Sequence, residues 1–117
     1  MPTVLVVEDE PDIRDAMAEA LSSEGYVVSA ATDGHDALER LKDGVPCADV
    51  IVLDMMMPVM DGWQFLAAKE ADRALAGIPV IVTSAAPQKL PPGAQVLLGK
   101  PFDLGRLLAT IAELVRM

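Results

Sequence analysis

Four short apolar runs of this sequence end in side chains that can do chemistry. Val4-Leu5-Val6-Val7 ends in Glu8-Asp9, Val50-Ile51-Val52-Leu53 in Asp54, Val80-Ile81-Val82 in Thr83-Ser84, and Val96-Leu97-Leu98 in Gly99-Lys100-Pro101. Laid side by side and pointing one way, these runs would gather three carboxylates, two hydroxyls and an ammonium along one edge. Crowded carboxylates repel, and some take up protons unless a cation neutralises them. Magnesium does this well, taking one or two carboxylates together with waters and phosphate oxygens. A carboxylate such as Asp54 can also form an acyl phosphate, a known covalent strategy. Phosphoryl transfer asks for in-line geometry and neutralisation of three equatorial oxygens. A metal held by Asp9 and Asp54 would serve one side, Lys100 another oxygen as a point charge, and the Ser84 hydroxyl a third. Each residue also has a plainer reading. Glu8-Asp9 could open a solvated loop and cap a helix, Ser84 could sit in a turn, and Lys100 could be a surface lysine after a strand. Their convergence from separate stretches of chain favours the chemical reading.

The elements that would hold these residues can be read from periodicity. Together with Val27-Val28-Ser29-Ala30, the runs are nearly uninterrupted and β-branched, which suits strands buried on both faces of a parallel sheet. Segments of helical period lie between most of them. Ile13, Met17, Ala20 and Leu21 form one stripe, Ala37, Leu38 and Leu41 a shorter one, and Phe65, Leu66 and Lys69 follow Gly62. Leu104, Leu107, Leu108, Ile111 and Val115 give the clearest stripe. Pro11 sits where a first helical turn would begin, Gly25 where that helix would end, and Asp33, Asp61 and Asp103 where N-caps are needed. Strand and helix alternate, so right-handed crossovers and a sheet covered on both faces are expected. In such sheets ligands collect beyond the carboxyl ends of the strands. One unit breaks the pattern. Pro87, Pro91, Pro92 and Gly93 leave room for one helical turn at most between Ser84 and Lys100, so the fourth crossover is expected to be a loop or a very short helix.

Composition bounds the rest. The 117 residues fit one domain, 1–117, and 52% hydrophobic content supports a real core. Aromatic residues are only 3%, so aliphatic side chains and Met must build it. One cysteine, Cys47, excludes an internal disulfide framework, and one histidine, His35, leaves no imidazole cluster for a transition metal. A net charge of −9 disfavours nucleic acid and anionic membrane surfaces as direct partners. With no run long enough to span a membrane and no signal-like N-terminus, a cytoplasmic protein is expected. His35 reads as a surface helix residue, Cys47 as a loop or half-buried thiol, and Trp63 as a partly buried helix residue near the acids.

Across its whole length the chain resembles the response-regulator receiver family of two-component phosphorelay signalling. The resemblance is carried by Val6-Val7-Glu8-Asp9, Asp54-Met55-Met56-Met57-Pro58-Val59-Met60-Asp61-Gly62, Pro79-Val80-Ile81-Val82-Thr83-Ser84-Ala85 and Lys100-Pro101-Phe102. It implies an α/β, flavodoxin-like, doubly wound five-stranded parallel sheet of order 2-1-3-4-5. It also implies that Asp54 is the phosphoacceptor and Asp9 a direct Mg2+ ligand. Glu8 would act through a metal-bound water, and the backbone carbonyl of Met56 would be a further ligand. Ser84 matches the switch hydroxyl, Ala85 the small residue that leaves the phosphate accessible, and Lys100 the phosphate-pairing lysine before a cis Pro101. Thr83 precedes the matching position and receives no switch role. The donor would be a histidine kinase or histidine phosphotransfer protein, and the output a contact with an unidentified protein target.

Two departures from the family stand out. Leu97 occupies the switch position where an aromatic ring is usual, and the Pro-rich segment shortens the fourth helix; both bear on how a signal leaves the domain. Met56, at a position that tunes acyl-phosphate lifetime in the family, cannot orient an attacking water as an amide or carboxylate can. Slow self-dephosphorylation is therefore expected. Two rival functions share these residues. A Mg2+-dependent aspartyl-phosphate phosphohydrolase usually has a second acid where Met56 stands, and a lid. A phosphorylation-independent interaction module would have no need of Glu8, Asp9, Asp54, Ser84 and Lys100 together. The expected chain is thus no turnover enzyme but a protein that catalyses its own phosphorylation and dephosphorylation, as a free-standing regulator or an excised receiver.

Overall fold

The apolar runs become strands β1 (Thr3–Val7), β2 (Val27–Ala31), β3 (Val50–Asp54), β4 (Val80–Ser84) and β5 (Val96–Gly99). The computed structural model describes residues 2–43, 48–57, 59–85 and 89–115, and the thiol expected at Cys47 lies outside them. All neighbouring strands pair in parallel, in the order β2-β1-β3-β4-β5. The doubly wound sheet implied by the resemblance is therefore present. Its helices are α1 (Pro11–Ser23), α2 (Gly34–Asp43), α3 (Gly62–Glu70), α4 (Arg73–Ala76) and α5 (Leu104–Val115). Among the described residues no helix is long and apolar enough to cross a membrane.

Alternation along the strands sorts their side chains into two cores. Leu5, Val7, Ile51, Leu53, Val80 and Val82 pack with Ala37, Leu38, Leu41, Phe65 and Leu66 of α2 and α3. Val4, Val6, Val50, Val52, Ile81 and Leu98 pack with Met17, Leu21, Leu107 and Ile111 of α1 and α5. Every position of β1, β3 and β4 is buried, as their unbroken apolar runs require. The outer strands depart from the expectation of burial on both faces. Val27 is 41% exposed and β5 is buried only at Leu98, because an edge strand has a neighbour on one side alone. Leu104 likewise leaves the α5 stripe and is exposed in the first turn.

Helix ends follow the capping residues. Pro11 opens α1, and Gly25, at φ 92, closes it: its N–H reaches Ser22 O while the Tyr26 N–H reaches Leu21 O. That double bond needs a left-handed residue, which glycine supplies without strain. Asp61 and Gln64 form a reciprocal capping box on α3. Asp33 accepts from Asp36 N–H and Asp103 from Gly105 N–H, capping α2 and α5.

The single turn α4 belongs to the third crossover, between α3 and β4. The fourth crossover, in its described parts Ala85 and Lys89–Gln95, carries no helix. Lys69, on the apolar stripe of α3, is wholly buried and donates to Ala76 O at 3.0 Å and Glu70 Oε1 at 3.3 Å. These bonds satisfy its charge and tie α4 to α3.

Candidate functional site

Because β1 and β3 are neighbours with Val7 opposite Leu53, their next residues, Glu8 and Asp54, emerge side by side. Carboxylate oxygens of Glu8, Asp9 and Asp54 lie within 4.8 Å of one another. Lys100 arrives from the end of β5, where its N–H donates to Ser84 O at 2.8 Å. Its Nζ stands 3.1 Å from Glu8 Oε1 and 3.3 Å from Asp54 Oδ1. Glu8 and Asp54 are buried, Asp9 and Lys100 half-buried, so the charges meet where water screens them poorly.

Local backbone bonds hold this arrangement. The Glu8 N–H donates to Ala31 O, and Arg14 Nη1 donates to Glu8 O at 2.9 Å. The Glu10 N–H reaches Glu8 Oε2 at 3.3 Å. Asp54 Oδ1 accepts from Met56 N–H at 3.2 Å, and the Met55 N–H donates to Thr83 O. The chain then folds back on itself, with Gly62 N–H donating to Met55 O. A Cβ at Gly62 would stand 2.7 Å from Met55 Cα, so only glycine permits this return beside the acid. Val59, on the same loop, adopts φ 67 and is 81% exposed, a strained conformation for a β-branched residue.

Burial pushes the Glu8 carboxyl up to about 7, helped by its hydrogen bond to Asp54 and the Asp54 charge. Burial pulls Lys100 down, but its bond to Glu8 and the charges of Asp54 and Glu8 outweigh that and leave it raised. The site thus has a carboxyl that keeps a proton near neutrality and an ammonium that does not lose one. Hard oxygen donors with surplus negative charge suit a divalent cation such as magnesium, so the residues fit the ion that the resemblance implies.

The remaining expected residues are distributed around this centre. Ser84 is buried at the end of β4, opposite Gly99, and Ala85 beside it is exposed. The Lys100–Pro101 bond is cis. Ala85, Lys100, Pro101, Phe102 and Ile13 line a groove of about 390 Å³. Leu97 is half-buried and packs against the α2 and α3 core. Met55 and Met57 are buried while Met56 is 65% exposed, so the methionine run alternates between core and surface. Trp63 is half exposed in a second groove of about 250 Å³ with Leu66, Ala67, Glu70 and Pro92. His35 lies on the surface of α2, 3.8 Å from Glu39.

Arg14 escaped the sequence reading. The available signal was Pro11, which starts α1 and so places Arg14 one turn later, where its N–H also bonds Glu10 O.

Comparison with known proteins agrees with this geometry. The family model described as response regulator receiver domain matches residues 4–112. Sensor histidine kinase TmoS of Ectopseudomonas mendocina is 37% identical, over 99% of this chain and 12% of that protein. Transcriptional regulatory protein PrrA of Mycobacterium tuberculosis is 38% identical, over 98% of this chain and 50% of that protein. This chain therefore spans about half the length of PrrA and far less of TmoS. Among solved structures, response regulator TrrA of Thermotoga maritima, in complex with Mg2+ and BeF, superimposes with a TM-score of 0.85 at 27% identity. That match covers 97% of this chain and 99% of TrrA.

Proposed function

This chain belongs to the response regulator receiver domain family, and we propose that Asp54 is its phosphoacceptor, read out as a switch in protein contacts. The observation that carries the reading is Lys100, whose ammonium joins Asp54 to Glu8 with Asp9 in the same cluster. Glu8, Asp9, Asp54 and the Met56 carbonyl would hold Mg2+. When bound, the ion supplies neutralisation of the crowded carboxylates and of phosphoryl oxygens.

An Asp54 oxygen forms the new O–P bond as the donor's N–P or O–P bond breaks, the leaving atom keeping the electron pair. Lys100 pairs with one phosphoryl oxygen as a point charge, and Ser84 donates its hydroxyl to another. Ala85 leaves that face open. The phosphoryl group then favours the conformer in which Ser84 and Lys100 are drawn inward, a population shift that Leu97 would pass on through the α2 and α3 core. The donor is a phosphohistidine on a histidine kinase or phosphotransfer protein, in the cytoplasm. With a charge of −9, the partner of the switched surface is protein rather than nucleic acid or membrane. The exposed thioether of Met56 offers no acid or base, which disfavours a phosphohydrolase and supports an adduct that persists.

Incubation with magnesium and acetyl phosphate, followed by intact mass measurement, tests this. One phosphoryl adduct on the wild type and none on Asp54→Asn is expected. Turnover without an adduct would instead indicate a phosphohydrolase, and no reaction an interaction module.

A further inference from the structure

Thr83, which the preceding reading leaves without a role, carries a feature that calls for one. It is 1% exposed, and its Oγ1 is buried with no hydrogen-bond partner among the described residues. A buried hydroxyl left unpaired costs free energy that a valine of the same shape would not. Thr83 stands opposite Asp54 in the β3–β4 ladder and opposite Leu98 in the β4–β5 ladder. Alternation places Ile81 and Val52 in the α1 and α5 core, so Thr83 and Asp54, two residues further along each strand, share that face. Adjacent strands lie about 4.8 Å apart, so the Thr83 and Asp54 side chains are direct neighbours across the ladder.

In the resting arrangement Asp54 is engaged elsewhere. Oδ1 accepts from Met56 N–H and pairs with Lys100, and the Glu8 and Asp9 carboxylates crowd against it. Phosphorylation would change this. One Asp54 oxygen becomes bound to phosphorus, the other becomes an uncharged acyl carbonyl, and phosphoryl oxygens compete for Lys100. That carbonyl oxygen has two lone pairs and can take a further donor beside the Met56 N–H, and Thr83 has one to spare.

We propose that Thr83 is a positioning residue for phosphoryl transfer, its Oγ1–H donating to the Asp54 oxygen that does not carry phosphorus. The proposal rests on Asp54 being the phosphoacceptor. The bond fixes the plane of the carboxyl, so that one oxygen faces the incoming phosphorus while the other is held. It also accounts for a buried hydroxyl that stabilises nothing in the resting state, since groups at functional sites are retained at some cost to the fold.

Thr83→Val and Thr83→Ser test it with acetyl phosphate and magnesium. Thr83→Val, nearly isosteric, is expected to fold with an unchanged or higher Tm and to form the adduct about tenfold more slowly. In infrared difference spectra of carboxyl-labelled protein, the acyl carbonyl band should move to higher frequency, because a lost hydrogen bond stiffens the C=O. Thr83→Ser should keep both the rate and the band. A Thr83→Val protein with the wild-type rate and the wild-type band would overturn the proposal while leaving Asp54 as acceptor. A wild type that takes no phosphoryl group would overturn both.

Discussion

Lys100 and Glu8, 92 residues apart in sequence, meet at 3.1 Å, and the same ammonium lies 3.3 Å from Asp54 Oδ1. The lysine thereby stands in for part of the positive charge that three neighbouring carboxylates require. Its side chain reaches from just past the end of β5 to residues at the carboxyl ends of β1 and β3, across the intervening β4. Any ligand that competes for Glu8 or Asp54 competes with Lys100 directly.

Replacing that cation should therefore weaken the metal-free protein. Lys100→Met keeps the aliphatic stem but leaves Glu8 and Asp54 facing each other. Glu8 can escape by taking a proton, so the loss is set at about 1–3 kcal/mol rather than the larger cost of a trapped charge. Urea unfolding at pH 8 should show this loss, and millimolar magnesium should recover much of it. An unchanged midpoint would mean that the ion pair contributes nothing.

The raised Glu8 carboxyl gives a pH dependence whose sign is opposite to that of most carboxylates. Its pKa goes from 4.5 unfolded to about 7 folded, so the folded state binds the proton more tightly. The stabilisation is complete below pH 4.5, declines as pH rises towards 7 and is gone above it. Magnesium binding needs the ionised carboxylate and should strengthen over the same window. Urea titrations from pH 5 to 8, paired with calorimetry of magnesium binding, should show opposite trends. Glu8→Gln should flatten the first trend and weaken the second.

Much of this centre is legible in the sequence, because each chemical residue follows directly on an apolar run. Parallel strands of similar length bring such ends together, so Glu8, Asp54 and Lys100 needed only the strand assignment. Caps were equally legible, since Asp33, Asp61 and Asp103 act over three residues or fewer. Long-range contacts were not. The Arg14 bond to Glu8 O depends on the angle at which α1 leaves β1. Lys69 stands in an apolar stripe, but its full burial depends on a carbonyl of α4, a turn too short to carry a periodic signal. The exposure of β2 and β5 follows from strand order, which the runs themselves do not encode.

Met56 should govern how long the acyl phosphate lasts. Its N–H holds Asp54 Oδ1 while its side chain lies at the surface, 65% exposed. A thioether there cannot orient a water on the phosphorus. A carboxylate in the same place could align a water on the phosphorus, so Met56→Glu is expected to shorten the adduct's half-life roughly tenfold. Following intact mass after removal of acetyl phosphate measures this directly. A half-life that lengthened sharply would count against the idea.

Val59 offers a test of strain separate from the chemistry. A β-branched side chain at φ 67 costs roughly 1–2 kcal/mol. Because the side chain is 81% exposed, it recovers little by packing. Val59→Gly removes the clash but loosens the unfolded chain, which offsets roughly 0.5–1 kcal/mol of the gain. The net expectation is a stabilisation of about 0.5–1 kcal/mol, seen as a higher urea midpoint with an unchanged slope. The acceptor Asp54 is held by Met56 N–H and Lys100 rather than by Val59. The rate of adduct formation should therefore be unaffected, and a slower rate would show that the strained turn helps to shape the site.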